Sequence, residues 1–138
     1  MRVKKMCLAG VLIGALLLTT VGWAAAQFLK PTATGTGNVN ATLTTASQTR
    51  LCGVLASFAN TGTIPSGAYF KVRLDSVDGP AYDAELYRET DADGSHSCLW
   101  LPQQPIPMKV GDAIQVTFPN TGSLAGGTWA VQGFFYVD

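Results

Sequence analysis

Beyond residue 38, apolar and polar residues alternate along several short segments, and this alternation constrains the fold more than any other feature. Within Ala68–Asp75, Phe70, Val72 and Leu74 share one side. The same alternation recurs at Ile114, Val116 and Phe118, at Cys52, Val54, Ala56 and Phe58, and at Trp129, Val131, Gly133, Phe135 and Val137. A period of two is typical of strands, and no stretch sustains the spacing of an amphipathic helix. The chain is therefore predicted to be all-β.

Turn-forming residues separate these segments at short intervals. Examples are Asn60-Thr-Gly62, Asp78-Gly79, Asp93-Gly94 and Gly111-Asp112. Short strands separated by turns every eight to twelve residues are typical of a β-sandwich. We therefore expect a seven-stranded immunoglobulin-like β-sandwich. Its predicted bounds are residues 39–138, preceded by a linker over residues 30–38, which are rich in Thr and Gly.

The first 29 residues have a different character. Three basic residues precede an uncharged run, Met6–Leu29, that contains Ala24-Ala25-Ala26. Residues 1–29 are therefore predicted to form one hydrophobic helix, which acts either as a signal peptide cleaved after Ala26 or as a transmembrane anchor. Gly10 and Gly14 form a G-x-x-x-G that would pack a retained anchor against another helix. Both alternatives stay open, and both place the rest of the chain in the periplasm or at the cell surface.

Two cysteines lie outside the hydrophobic run, Cys52 and Cys98. In an oxidising compartment a single pair of this kind is expected to form a disulfide. Their wide spacing does not resemble a C-x-x-C redox or metal motif. We therefore predict a Cys52–Cys98 bridge between two strands.

The charge balance bears on the class of partner. The whole chain has nine basic and nine acidic residues, and Arg2, Lys4 and Lys5 precede the hydrophobic run. The exported part thus carries six basic residues against nine acidic ones. Nucleic-acid binding needs clustered Lys and Arg to displace counterions, so no nucleic-acid partner is expected.

Several segments together resemble the bacterial extracellular immunoglobulin-like domains of the CARDB type. They are Phe58-Ala-Asn-Thr-Gly-Thr63, Phe70-Lys-Val-Arg-Leu74, Asp78-Gly79, Gly127-Thr-Trp-Ala-Val131 and Tyr136-Val-Asp138. These match that family's N-x-G-x turn, F-x-V-x-L strand, D-G hairpin and closing strand. The resemblance spans most of residues 50–138 and implies the fold and a binding or spacer role, but no functional residue. The expected disulfide and the proline-rich Pro102–Pro107 depart from the family pattern.

A weak calcium motif lies in Glu89-Thr-Asp91-Ala-Asp93-Gly94, where acidic residues occupy positions 1, 3 and 5 of an EF-hand-like loop. Position 12 should be a bidentate Glu, but it is Trp100. A polar hairpin tip explains the same residues, because Asp-Gly suits a tight turn. We therefore predict no metal and no cofactor.

Catalysis has little support in the sequence. The chain has one histidine, and it lacks both G-x-S-x-G and H-E-x-x-H. Nine acidic residues could supply a carboxylate pair, yet their spacing singles none out. We expect no catalytic residues, and a small hydrolase is the least favoured alternative.

Three aromatic residues, Tyr69, Phe134 and Tyr136, fall on the polar sides of two predicted strands. Exposed aromatics on a sheet stack on sugar rings or anchor a protein partner. The leading hypothesis is a non-catalytic interaction module, an accessory or structural subunit of a membrane or envelope complex. A secreted carbohydrate-binding module is the main alternative.

Overall fold

The computed structural model describes residues 27–59, 64–90, 95–119 and 126–137. Within them the chain forms ten β-strands and a short 3-10 turn at Pro80–Tyr82. The strands are β1 Phe28–Leu29, β2 Thr32–Thr36, β3 Val39–Thr44, β4 Thr49–Ala59, β5 Phe70–Asp75, β6 Ala84–Glu89, β7 Ser95–Trp100, β8 Ile106–Met108, β9 Ala113–Phe118 and β10 Thr128–Val137. The all-β prediction is confirmed, whereas the predicted count of seven strands is not.

The strands form two antiparallel sheets. The first sheet has the order β1-β10-β4-β7, with β2 also paired to β10 and β8 also paired to β4. The second sheet has the order β3-β9-β5-β6. Apolar side chains of both sheets meet in a single buried cluster, so the two sheets form the predicted sandwich.

The pairings nest inside one another along the chain. β5 pairs with β6, β4 with β7, β3 with β9 and β2 with β10. The described chain is thus one long antiparallel ribbon, turned back on itself between β5 and β6 and folded over into two sheets. This is the arrangement of a jelly roll. It differs from the predicted immunoglobulin-like order, in which strands A and B share a sheet, because β2 and β3, the first two strands longer than two residues, lie in different sheets.

Alternation of side chains along each strand fills the core. Phe58 and Phe118 pack with ring centroids 4.7 Å apart. The largest fully buried side chains come from both sheets: Leu43, Leu51, Val54, Phe70, Val72, Ile114, Val116, Phe118, Val131 and Phe135 among them. The inward faces predicted for β5 and β9 are therefore confirmed at Phe70, Val72, Ile114, Val116 and Phe118.

The sandwich begins earlier than predicted. Phe28 and Leu29 form β1, opposite Tyr136 and Phe135 of β10. The N–H of Val137 donates to the carbonyl of Gln27 at 3.0 Å. The predicted linker, residues 30–38, contains β2, and it belongs to the first sheet. Residues 27–38 are therefore part of the sandwich, because their backbone groups complete the ladder of β10.

The predicted signal peptide or anchor falls almost wholly on residues 1–26, which lie outside the described residues. Gly10 and Gly14, predicted to pack against another helix, are among them. Phe28 and Leu29, placed at the end of that helix by the sequence, are strand residues. Across the part of the chain that the structure describes, no helix has the length and apolar character needed to cross a bilayer.

Candidate interaction surface

The aromatic surface predicted at Tyr69, Phe134 and Tyr136 is not formed. Phe134 and Tyr136 lie on β10 in the first sheet. Tyr69 directly precedes β5 in the second sheet, and the Cζ atom of Arg88 lies 4.1 Å from its ring centroid. Because buried Val131 and Phe135 face the core from β10, Phe134 and Tyr136 face outward on the first sheet. Tyr69 therefore belongs to the other side of the sandwich.

Phe134 and Tyr136 lie among apolar side chains of the first sheet and not beside Tyr69. We call this group the apolar strip, and its members are Phe28, Leu55, Leu99, Leu101, Phe134 and Tyr136. Leu55 of β4 lies directly opposite Leu99 of β7. The rings of Phe28 and Tyr136 meet edge-to-face, with centroids 5.6 Å apart. Phe28, Leu99 and Leu101 remain 57%, 58% and 62% exposed. The strip thus runs across the outer face of the first sheet, from β1 to the segment after β7.

Gly53, in the middle of the strip, leaves space for the side chain of Leu101 to approach Phe134. A Cβ atom added to Gly53 would lie 2.7 Å from Leu101 Cδ2 and 3.7 Å from Phe134 Cδ2. Leu101 therefore occupies the space that a side chain at this position would fill. The register of β4 against β10 shifts at the same place, between Phe134 and Phe135, which leaves Cys52 as the extra residue of a β-bulge.

At the other end of the same face the side chains are small and polar. The hydroxyls of Ser57 and Ser97 lie 3.2 Å apart across β4 and β7. Together with Ala59, Thr128 and Ala130 they line a shallow groove of about 540 Å³. The outer face of the first sheet therefore changes from aromatic and aliphatic at the β1 end to hydroxyl-bearing at the far end.

Charge distinguishes the two sheets. In the described strands of the first sheet, Arg50 is the only Asp, Glu, Lys or Arg residue. β5 and β6 of the second sheet carry six: Lys71, Arg73, Asp75, Glu85, Arg88 and Glu89. Several of these form ion pairs, including Arg88 with Glu85 at 2.8 Å and Arg73 with Asp83. The second sheet thus presents a solvated face, whereas the first presents apolar side chains with little charge.

The predicted Cys52–Cys98 disulfide is not formed, because both thiols are free. Cys98 lies opposite Ala56, four residues along β4 from Cys52. Four strand residues span about 13 Å, while a disulfide requires Cα atoms within about 7 Å. The bulge at Cys52 is also why the predicted common face of Cys52, Val54, Ala56 and Phe58 is wrong at its first member.

Cys98 instead packs where the edge strands β6 and β7 approach each other. Its neighbours include Tyr87 and Glu89 of β6, and the Tyr87 hydroxyl donates to Glu89 Oε2 at 3.2 Å. Burial, followed by interaction with Glu89, raises the pKa of the Cys98 thiol to about 12. Nucleophilic cysteines have depressed pKa values. This thiol is held in its unreactive, protonated form at neutral pH.

The calcium motif is only partly placed. Asp91 and Asp93 lie outside the described residues. Glu89 lies at the end of β6, where its carboxylate accepts the hydrogen bond from Tyr87. Among the residues that the structure describes, no three His, Cys, Asp or Glu side chains are grouped to hold a metal ion.

Comparison of the sequence with known family models and with curated proteins finds no match. The resemblance to CARDB-type domains therefore stays a prediction made from the sequence. The strip itself was missed by sequence reasoning at Phe28, Leu55, Leu99 and Leu101. The run Cys98-Leu99-Trp100-Leu101 is apolar throughout, so it does not say which side of the strand faces solvent.

Proposed function

We propose that this chain is a non-catalytic, extracytoplasmic interaction module, and that the apolar strip packs on a partner protein. One observation carries the proposal, the contrast between the two outer faces. The first sheet exposes Phe28, Leu99 and Leu101 among strands with a single charged residue, Arg50. Exposed apolar groups gathered on one face mark interaction sites, and interface centres are poor in charge and rich in aromatics.

The proposed setting is a membrane or envelope complex in which this chain is an accessory or structural subunit. The basic residues and uncharged run at the N-terminus support export. The strip begins at Phe28, at the end of that run. A partner held at the same membrane would therefore meet the β1 end of the first sheet before the hydroxyl-bearing end.

A carbohydrate-binding role has less support. Sugar rings stack on open aromatic faces. Arg88 lies over Tyr69, and Phe134 and Tyr136 are each only partly exposed. The largest exposed side chains of the strip include two leucines, which offer no stacking surface. A hydrolase has less support still, because the sequence contains neither G-x-S-x-G nor H-E-x-x-H.

The test compares native complexes from cells that produce tagged versions of the chain. Leu101→Asp places a charge in the strip, and Thr42→Asp places one on exposed β3 of the second sheet as the matched control. Detergent extracts are resolved by native electrophoresis, and thermal melts confirm that both variants fold. We expect wild type and Thr42→Asp to migrate in a complex larger than two copies of the chain.

Leu101→Asp should migrate no larger than two copies of the chain, because a charge buried at an interface without a partner is strongly unfavourable. Migration of Leu101→Asp in the large complex would show that the strip is not the contact. Wild type no larger than two copies would remove the partner protein altogether.

A further inference from the structure

The edge of the first sheet formed by β7 has its own chemistry. One side of β7 pairs with β4, from Ala59 opposite Ser95 to Val54 opposite Trp100. On its other side, no strand among the described residues pairs with it. An edge strand presents alternating N–H and C=O groups that another extended strand can bind.

The remaining edges of the sandwich offer less to such a partner. β8 contains Pro107, which lacks an N–H, and β6 carries three charged residues. β2 has no side chain larger than Thr, and β3 buries Val39 and Leu43 while exposing Asn and Thr. β1 has only two residues, and β2 and β3 lack charge and proline as β7 does. β7 differs from β2 and β3 in exposing a large apolar side chain. It has six residues, no Asp, Glu, Lys, Arg or Pro, and a 58% exposed leucine, Leu99.

β7 is also anchored through its inward side chains at this edge. Its inward residues are Cys98, which is 4% exposed, and Trp100, whose ring stacks on Tyr87 of β6 with centroids 5.9 Å apart. These contacts tie β7 to the second sheet. A strand anchored through its inner side chains keeps its outer backbone groups in place for a further partner, which lowers the entropy lost on pairing.

We infer that β7 pairs antiparallel with β7 of a second copy of this chain, so that two first sheets join into one. The absence of charge selects this occupant. When a strand pairs with its own copy, its charges risk meeting like charges, which is unfavourable. An uncharged strand avoids that repulsion, and a two-fold axis makes the same contact twice. In the register centred on Leu99, the two Leu99 side chains face each other, and Leu101 lies opposite Ser97 of the second copy.

This inference goes beyond the proposed function, since it concerns a backbone edge and not the outer face. Pairing through β7 would place the two apolar strips side by side on one continuous sheet. The dimer would therefore present a partner with an outer face twice as wide.

The test is the mass of the purified protein by sedimentation equilibrium, for wild type, Leu99→Lys and Thr42→Lys. Lysine on an edge strand blocks edge-to-edge association, and Thr42 is an exposed residue of the β3 edge. We expect wild type and Thr42→Lys to be dimeric and Leu99→Lys to dissociate at least about tenfold more readily. A monomeric wild type, or an unchanged dimer in Leu99→Lys, overturns the inference.

A cysteine pair tests the register. Leu99→Cys should form a disulfide-linked dimer on mild oxidation, whereas Thr42→Cys and the native thiols should not. A Leu99→Cys protein that stays monomeric on a non-reducing gel contradicts pairing centred on Leu99. If wild type is monomeric but still enters a complex larger than two copies in native extracts, the inference fails and the proposed function stands.

Discussion

The carboxylate of Asp112 accepts a hydrogen bond of 2.9 Å from the backbone N–H of Val77, a residue 35 positions earlier. The same carboxylate accepts a 2.8 Å bond from the N–H of Lys109. Asp112 is only 4% exposed. It therefore joins the loop after β5 to the turn before β9, at the tip of the folded ribbon.

Asp112→Ala should lower the free energy of unfolding by about 1–3 kcal/mol, because two backbone donors lose their acceptor. Urea denaturation measures the change. The control is Asp78→Ala, which removes an exposed ion pair with Lys109 and should change stability much less, because water screens such a pair. Equal effects of the two substitutions would contradict a structural role for Asp112.

The free energy of unfolding should also depend on pH through the ionisation of Asp112. Burial raises the pKa of Asp112, but the bonds from Val77, Lys109 and Ser76 outweigh it and hold this pKa below the usual 3.8. A carboxyl group with a depressed pKa stabilises the folded protein at pH values above 3.8. This stabilisation is lost as the pH falls through the pKa of the folded state. Asp112→Asn should flatten this acid limb of the unfolding free energy. An acid limb identical to that of wild type would assign the effect elsewhere.

Thiol labelling should distinguish the two cysteines of the sandwich. The folded protein should show no Cys52–Cys98 bridge by non-reducing mass spectrometry. Cys98 should react with an alkylating reagent at pH 8 only after denaturation, because it is buried and its pKa is raised to about 12. Rapid modification of Cys98 in the native protein would contradict its protonated, enclosed state.

The protein should lose stability in alkali. Burial is the main cause that raises the pKa of Tyr87 from 10.0 to about 12 and that of Cys98 from 9.0 to about 12. A group whose pKa is raised in the folded state stabilises the protein fully at pH values below its unfolded-state pKa. This stabilisation is lost as the pH rises toward the folded-state pKa. The unfolding free energy should therefore fall between about pH 9 and 12. Tyr87→Phe combined with Cys98→Ala should weaken that dependence, as measured by urea titrations across this range.

Gly35 permits the indole of Trp129 to lie across β2. A Cβ atom at Gly35 would lie 2.4 Å from Trp129 Cζ2. Gly35→Ala should therefore destabilise the fold by about 1–3 kcal/mol through overpacking. Replacing Trp129 with Leu in the same chain should recover part of that loss, since the two effects are coupled. Additive losses in the double mutant would show that the loss in Gly35→Ala does not come from contact with the Trp129 ring.

The strands with the clearest alternation were predictable. β5 and β9 show it because their inward residues are buried against the opposite sheet while their outward residues meet solvent. Local pattern failed at Cys52, where the bulge shifts the register of β4 by one residue. It also failed at Phe28 and Leu29, since an uncharged Phe-Leu suits both a hydrophobic helix and a strand.

The order of the strands could not be read from the chain. Nested pairing and an immunoglobulin-like arrangement use the same alternating segments and the same turns. They differ in which distant strands are hydrogen-bonded to each other. Here β2 pairs with β10, with Thr36 opposite Thr128. The predicted aromatic surface failed for the same reason, because Tyr69 and Phe134 belong to different sheets.

The sequence by itself determined the all-β class, the inward faces of the regular strands and the hydrophobic N-terminal run, because each depends on the chemistry of neighbouring residues. Only the tertiary structure decided that the two thiols lie apart and that Leu99 and Leu101 face solvent beside Phe134. Strand pairing sets these relationships, and it brings together backbone groups that are far apart in the chain. The local pattern of side chains does not specify which distant strand is the partner.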